Sequence, residues 1–185
     1  MAVHFMRIIA GSAKGRTIVG PKGLGTRPMT GRAREALFSS LGSRVFNARV
    51  LDLFAGSGSL GLEALSRGAR SVVFVENDRQ ALIALRRNAT TLDLGGEVIG
   101  GDVGHFLDGC RSSFDLVFVD PPYALSLASV QEVLSKLEPL LDTGASVVVH
   151  RRVGENPPAG PDGLTTAGER TYGDSRLWTY RKEER

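Results

Sequence analysis

Five short runs rich in β-branched and aromatic residues, RVLDLFA, SVVFVEN, EVIGGD, FDLVFVD and ASVVVH, alternate with stretches of helical periodicity at 59–67, 78–92, 103–110 and 126–141. This alternation constrains the fold more than any other feature. Strand, helix and strand in succession close as right-handed parallel crossovers, so the chain is expected to be α/β, a Rossmann-like, mostly parallel sheet with helices on both faces. The last segment, LTTAGERTYGDSRLWTYRK, breaks the pattern. Its two strand-like runs meet at Gly173 and Asp174 and predict a C-terminal antiparallel hairpin, which completes a seven-stranded sheet.

The N-terminal prefix follows another plan. RIIA and RTIV, separated by a Gly/Ser/Lys turn, predict a β-hairpin; GLGTRPM reads as an irregular connection. TGRAREALFSSLG predicts a helix with Ala33, Leu37, Phe38 and Leu41 on one face, Thr30 as N-cap and Gly42 after the last apolar residue. Residues 1–34 hold seven Lys or Arg (Arg7, Lys14, Arg16, Lys22, Arg27, Arg32, Arg34) and no acid, whereas 35–150 carries nine basic and fourteen acidic residues. Basic residues so concentrated point to a phosphate-facing surface and hence to nucleic acid, with Lys14 and Arg16 among the expected contacts. Cys110 is the only cysteine, which excludes an internal disulfide or a multi-thiolate metal site, and the three histidines are not spaced as ligands, so no metal is expected. MAVHFMRII lacks the apolar core of a signal peptide, and no apolar run approaches the roughly 18–20 residues of a membrane span, so the expected location is cytoplasmic.

GSGSLG, directly after the first strand of the alternating region, matches the dinucleotide fingerprint G-x-G-x-x-G. In an open α/β sheet this loop lies at the rim where ligands bind, and Gly56 and Gly58 let main chain approach a ligand closely. Two acids argue against a nicotinamide cofactor. Asp52 precedes Gly56 by four residues and would repel a pyrophosphate, whereas it would attract a cationic head. Glu76, twenty residues after Gly56, sits where a ribose-binding carboxylate belongs. Together they describe S-adenosylmethionine, which has an ammonium, a sulfonium and a ribose but no phosphate. Asp102 and Val103 end the next strand. The Asp102 carboxylate could accept from the adenine amino group and Val103 offers a backbone N–H and an apolar wall, although an N-cap role for Asp102 needs no ligand.

FDLVFVDPPYAL is the most specific text in the chain. The two prolines remove two donors and stiffen the chain, leaving carbonyls and the Asp120 carboxylate as acceptors. An exocyclic amine on a nucleobase is a poor nucleophile because its lone pair is delocalised. Asp120 and the Pro121 carbonyl could hold both of its N–H bonds, favour a pyramidal nitrogen and aim the lone pair at a methyl donor. Tyr123 can stack on the base. Because the nitrogen becomes acidic only once methylated, Asp120 could accept its proton late.

DLFAGSG, VEND, GD and DPPY, in this order on alternating strands, resemble a class I S-adenosylmethionine-dependent methyltransferase acting on an exocyclic nitrogen. With MRIIAG, RPMTGRAREALFSSL and YGDSRLWTY, the chain is similar over nearly its whole length to the RsmD-like family, which methylates guanine N2 in 16S ribosomal RNA of the bacterial small subunit. The resemblance implies S-adenosylmethionine as cofactor, bordered by Asp52, Ala55, Gly56, Ser57, Gly58, Glu76, Asn77, Asp102, Val103 and Asp120. It implies a catalytic corner of Asp120, Pro121, Pro122 and Tyr123, and substrate contacts from Arg27, Thr30 and Arg32 beside Lys14, Arg16 and Tyr123. It also implies a basic, RNA-contacting extension at 1–44, a methyltransferase domain at 45–185, and a monomer acting on 16S ribosomal RNA in the assembling small subunit. The chain departs from the family at Met29 and Gly31, where Thr and Asp are usual, and at His150, where an acid is common. An adenine-N6 DNA methyltransferase is the nearest alternative, since DPPY suits either amine. A nicotinamide oxidoreductase rests on GSGSLG alone, and a non-enzymatic RNA-binding module leaves DPPY idle.

Overall fold

The computed structural model describes residues 4–21 and 29–184. At its start β1 (Phe5–Arg7) pairs antiparallel with β2 (Thr17–Val19), Met6 opposite Ile18. The expected hairpin is present, but its first strand is shifted. Only Arg7 of RIIA lies in β1, because the N–H groups of Ile9 and Ala10 turn away and donate to the Glu63 carboxylate at 2.7 and 3.0 Å. Residues 8–16 form a packed loop, in which Ala13 N–H donates to Ser66 Oγ at 2.9 Å and Gly11 (φ +83°) lies so close to the Ser66 carbonyl that a Cβ would stand 1.7 Å from it. The connection read at residues 23–28 lies outside the described residues.

Helix α1 (Gly31–Leu41) starts where the sequence places it, Thr30 Oγ1 accepting from Ala33 N–H at 3.2 Å. Its expected apolar face is buried, and Gly42, at φ +55°, ends it. A 3₁₀ turn (Gly42–Val45) leads into β3 (Arg49–Leu53), α2 (Ser59–Ser66), β4 (Ser71–Glu76), α3 (Arg79–Leu92), β5 (Glu97–Gly100), α4 (Val103–Gly109), β6 (Phe114–Val119), α5 (Leu127–Leu137), β7 (Leu141–Arg152), β8 (Leu164–Tyr172) and β9 (Ser175–Lys182). The periodicity predicted the last helix to run to 141, but it stops at Leu137. Pro139 has no N–H to give to the preceding turn, and the chain passes through a 3₁₀ turn (Glu138–Leu140) into a longer β7 than ASVVVH suggests.

The seven-stranded sheet has the order β5-β4-β3-β6-β7-β9-β8. Its first five strands are parallel, and β9 is antiparallel to β7 and β8. The hairpin turns at Gly173 and Asp174 as expected, with Tyr172 opposite Ser175. Alternation along each strand divides the core into two layers. Val50, Phe74, Leu116, Phe118 and Val148 face α1, α2 and α3, whereas Leu51, Leu53, Val117, Val119, Val147 and Trp178 face α4 and α5. Successive strands are built outward in both directions from β3 and β6, so the switch point, where an open sheet parts its connecting loops, lies between them.

Candidate active site

The chain leaves β3 and β6 side by side at this switch point. Leu53 pairs with Val119, and Asp120 N–H reaches the Leu53 carbonyl at 3.4 Å. Phe54, at φ +59°, turns the chain through the left-handed region, which a bulky residue rarely adopts. The glycine loop follows, with Gly58 N–H donating to the Ala55 carbonyl at 2.8 Å. The fingerprint glycines do different work. Among the described residues, nothing lies within 4 Å of a Cβ placed at Gly56 (φ +58°). Gly58 (φ +84°) is pressed against Leu85, whose Cδ1 would be 2.4 Å from a Cβ. Gly61 admits the Phe74 ring, 2.3 Å from such a Cβ, and brings α2 down onto β4.

Asp52 and Glu76 bring buried carboxylates together here. Asp52 is 1% exposed; its Oδ2 accepts from Gly61 N–H at 2.9 Å, while its Oδ1 is buried without a partner among the described residues. Burial pushes the Asp52 carboxyl well above the ordinary carboxylate range; the Gly61 hydrogen bond opposes this, and the Asp120 and Glu76 carboxylates add to it. Glu76 is not the solvated strand-end acid it could have been. It is buried, with Oε2 accepting from Gly56 N–H at 2.7 Å and Oε1 from Asn77 and Asp78 N–H at 2.8 and 2.7 Å. It therefore ties the glycine loop to the start of α3, where Asp78 is the N-cap. Asp102 is exposed and caps α4 through Oδ1, accepting from His105 N–H at 3.0 Å; Val103 beside it is buried. An orphaned buried carboxylate oxygen, a like-charged neighbourhood and an open glycine turn are what a ligand with a cationic head and a ribose would complete, so these residues fit S-adenosylmethionine.

On the β6 side, Asp120 and Tyr123 are half-buried, Pro121 is buried and Pro122 exposed. Burial, and then the Asp120 carboxylate, push the Tyr123 phenol up, so the ring is neutral. The segment is gripped by a group that the sequence reading did not assign, the consecutive His150, Arg151 and Arg152 at the end of β7. His150 is 3% exposed and its Nδ1 lies 2.6 Å from Asp120 Oδ1. Buried Arg151 donates to the carbonyls of Pro122 (3.1 Å), Tyr123 (3.4 Å) and Leu125 (2.8 Å), its Nε held by Glu155 at 2.7 Å. The Arg152 guanidinium lies 4.9 Å from the centroid of the Tyr123 ring. The available signal was VVVHRR, three basic groups closing an apolar strand, noted only as a departure at His150.

The residues expected to touch substrate are not all in one place. Thr30 and Arg32 are exposed at the start of α1. Lys14 and Arg16 lie in the loop held by Ser66 and by the end of α3, where the Arg16 guanidinium donates to the carbonyls of Thr91 and Leu92. These helix ends are remote from the rim, because each helix runs antiparallel to the strands beside it. Arg27 lies outside the described residues. Behind the rim, buried Asn88 donates through Nδ2 to the carbonyls of Val19 and Ser57, both at 2.9 Å, and accepts from Val19 N–H at 3.0 Å, joining the hairpin to the glycine loop.

Comparison with known proteins bears on this geometry. The family described as conserved hypothetical protein 95 matches residues 6–181. The ribosomal RNA small subunit methyltransferase D of Escherichia coli is 36% identical over 96% of this chain and 90% of its own length. The chain belongs to the RsmD-like methyltransferase family. The Haemophilus influenzae protein of the same name is 36% identical over 91% of this chain and 89% of its own. The solved structure of yhhF from Escherichia coli superposes with a TM-score of 0.87 at 36% identity, covering 98% of this chain and 100% of that one. This RsmD-like chain thus carries the family's fold over almost its full length, including the hairpin prefix and the DPPY corner. Among the described residues, no helix is long and apolar enough to cross a membrane.

Proposed function

We propose that this protein transfers a methyl group from S-adenosylmethionine to the exocyclic N2 of a guanine in 16S ribosomal RNA, presented in the assembling small subunit. The observation that carries the reading is the junction at the switch point. Asp120, whose N–H reaches the Leu53 carbonyl, follows β6 beside the strand that leads into the glycine loop, which hydrogen-bonds to Glu76, and into α2, which hydrogen-bonds to Asp52. S-adenosylmethionine, when bound, supplies an electrophilic methyl on a sulfonium and a neutral thioether leaving group. The chain supplies alignment and electrostatics. Asp52, with an unsatisfied buried oxygen, favours a positively charged ligand over a phosphate. Gly56 gives that ligand close access to main chain, and Glu76, anchored by three N–H groups, keeps lone pairs for ribose hydroxyls. Asp120 and the Pro121 carbonyl take the two N–H bonds of the target amine and turn its lone pair toward the methyl. Once the nitrogen is methylated, Asp120 accepts its surplus proton. The target guanine must be unstacked to reach this corner, where Tyr123 offers a ring to lie against. The names borne by the Escherichia coli and Haemophilus influenzae relatives support a small-subunit RNA substrate.

The test uses labelled cofactor, small subunits from a strain lacking the modification, and nucleoside analysis of the product. N2-methylguanosine is expected with the wild-type protein, and its loss in Asp120→Ala with S-adenosylhomocysteine affinity retained. N6-methyladenine on competing duplex DNA, or no product from folded, cofactor-binding protein, overturns the reading.

A further inference from the structure

We propose that His150, Arg151 and Arg152 form a positioning unit that sets the DPPY corner in its reactive geometry, an inference that rests on the methyl-transfer reading above. The three side chains hold three different parts of the corner. A carboxylate oxygen accepts, so His150 Nδ1 carries the proton and donates to Asp120 Oδ1 at 2.6 Å. This fixes the carboxylate's rotation and turns its second oxygen to the substrate side. The His150 Nε2 is buried with no partner, so among the described residues Asp120 is the only polar anchor of the ring. A buried imidazole with one hydrogen bond, made to the reacting carboxylate, is poorly explained by packing alone.

Arg151 acts on the main chain. It takes the carbonyls of Pro122, Tyr123 and Leu125 and leaves that of Pro121 alone. The clamp thus engages the acceptors that the reaction does not use and spares the two that it does, the Pro121 carbonyl and the second Asp120 oxygen. Arg152 covers one face of Tyr123, so a target base can stack only on the other. His150 also meets the Tyr123 ring edge-on, centroids 6.1 Å apart. The strand order dictates the arrangement: Val119 pairs with Val149, so the residue after each is a neighbour across β6 and β7.

Arg151 is buried with Glu155 and its replacement would disturb folding, so the test uses the other two residues. His150→Leu removes the donor and His150→Asn restores an N–H at the position of Nδ1. His150→Leu is expected to lower kcat ~10- to 100-fold while KM for RNA and affinity for S-adenosylhomocysteine hold within twofold. His150→Asn should recover most of that loss. Arg152→Gln, at an exposed position, should raise KM for RNA by about 2- to 5-fold with little change in kcat. Nitrogen-15 NMR should show His150 protonated at Nδ1, a signal that moves in Asp120→Asn. An unchanged kcat in His150→Leu, a loss that His150→Asn does not recover, or a His150 signal indifferent to Asp120 overturns the proposal. If wild-type protein fails on ribosomal RNA while the NMR coupling is present, the substrate reading falls and the positioning contact stands.

Discussion

Glu63 is one of the residues that fasten the prefix to the methyltransferase fold, and its removal has a calculable cost. It is 0% exposed on α2, takes the N–H groups of Ile9 and Ala10, and pairs with Arg67 Nε at 2.7 Å. Arg34, itself buried, feels its charge: burial pulls the Arg34 guanidinium down and Glu63 holds it up. Glu63→Ala leaves two N–H groups without an acceptor and two guanidinium groups without their counter-charge. Breaking a buried pair in this way costs about 3–5 kcal/mol, the solvent access of Arg67 keeping the figure from the sum of all its contacts. For a chain of this size each kcal/mol moves Tm by about 2–4 °C, so a fall of roughly 10 °C is expected by calorimetry. Hydrogen exchange should show the amides of Ile9 and Ala10 losing protection ahead of the sheet. A Tm within about 2 °C of wild type, with those amides still protected, would refute the assignment of Glu63 as a fastening.

Asp52→Asn tests the cationic pocket through pH. The folded state holds the Asp52 proton more tightly than the unfolded chain, so wild-type stability is full below the unfolded carboxylate value of about 4 and declines as pH rises toward the raised folded value. The uncharged variant escapes that decline; its Tm relative to wild type should improve as pH rises above about 4 while S-adenosylmethionine affinity drops, and a pH-independent difference would contradict the reasoning. Gly58→Ala places a Cβ against Leu85 at a φ of +84°, and strain with repacking should cost about 2–4 kcal/mol and weaken cofactor binding. Urea unfolding and calorimetric titration measure both, and a stability loss under about 0.5 kcal/mol would show that the loop does not need glycine there.

The rim could be read from the sequence because each strand there is an apolar run closed by an acid or a glycine, and in a parallel sheet all such closures fall at one end. Asp102 and Asp120 were placed by that logic, Asp52 and Glu76 by their spacing from Gly56. What the sequence did not disclose depends on which strands become neighbours. The contact of His150 with Asp120 exists because β7 lies against β6, and nothing local to VVVHRR announces it. The extent of the first strand of the hairpin was hidden for a related reason. RIIA has the composition of a strand, but Glu63 and Ser66, more than fifty residues away, take its donors and carry Lys14 and Arg16 to the far ends of the helices. A helical period likewise continues through Pro139, where the missing N–H ends the helix.

Asn88 satisfies both main-chain groups of Val19 in the hairpin and donates as well to the Ser57 carbonyl of the glycine turn. The hairpin cannot swing out without stranding polar groups in an apolar interior. Its ordering is therefore completed when the protein folds, and the hairpin is presented to any partner as a preformed surface.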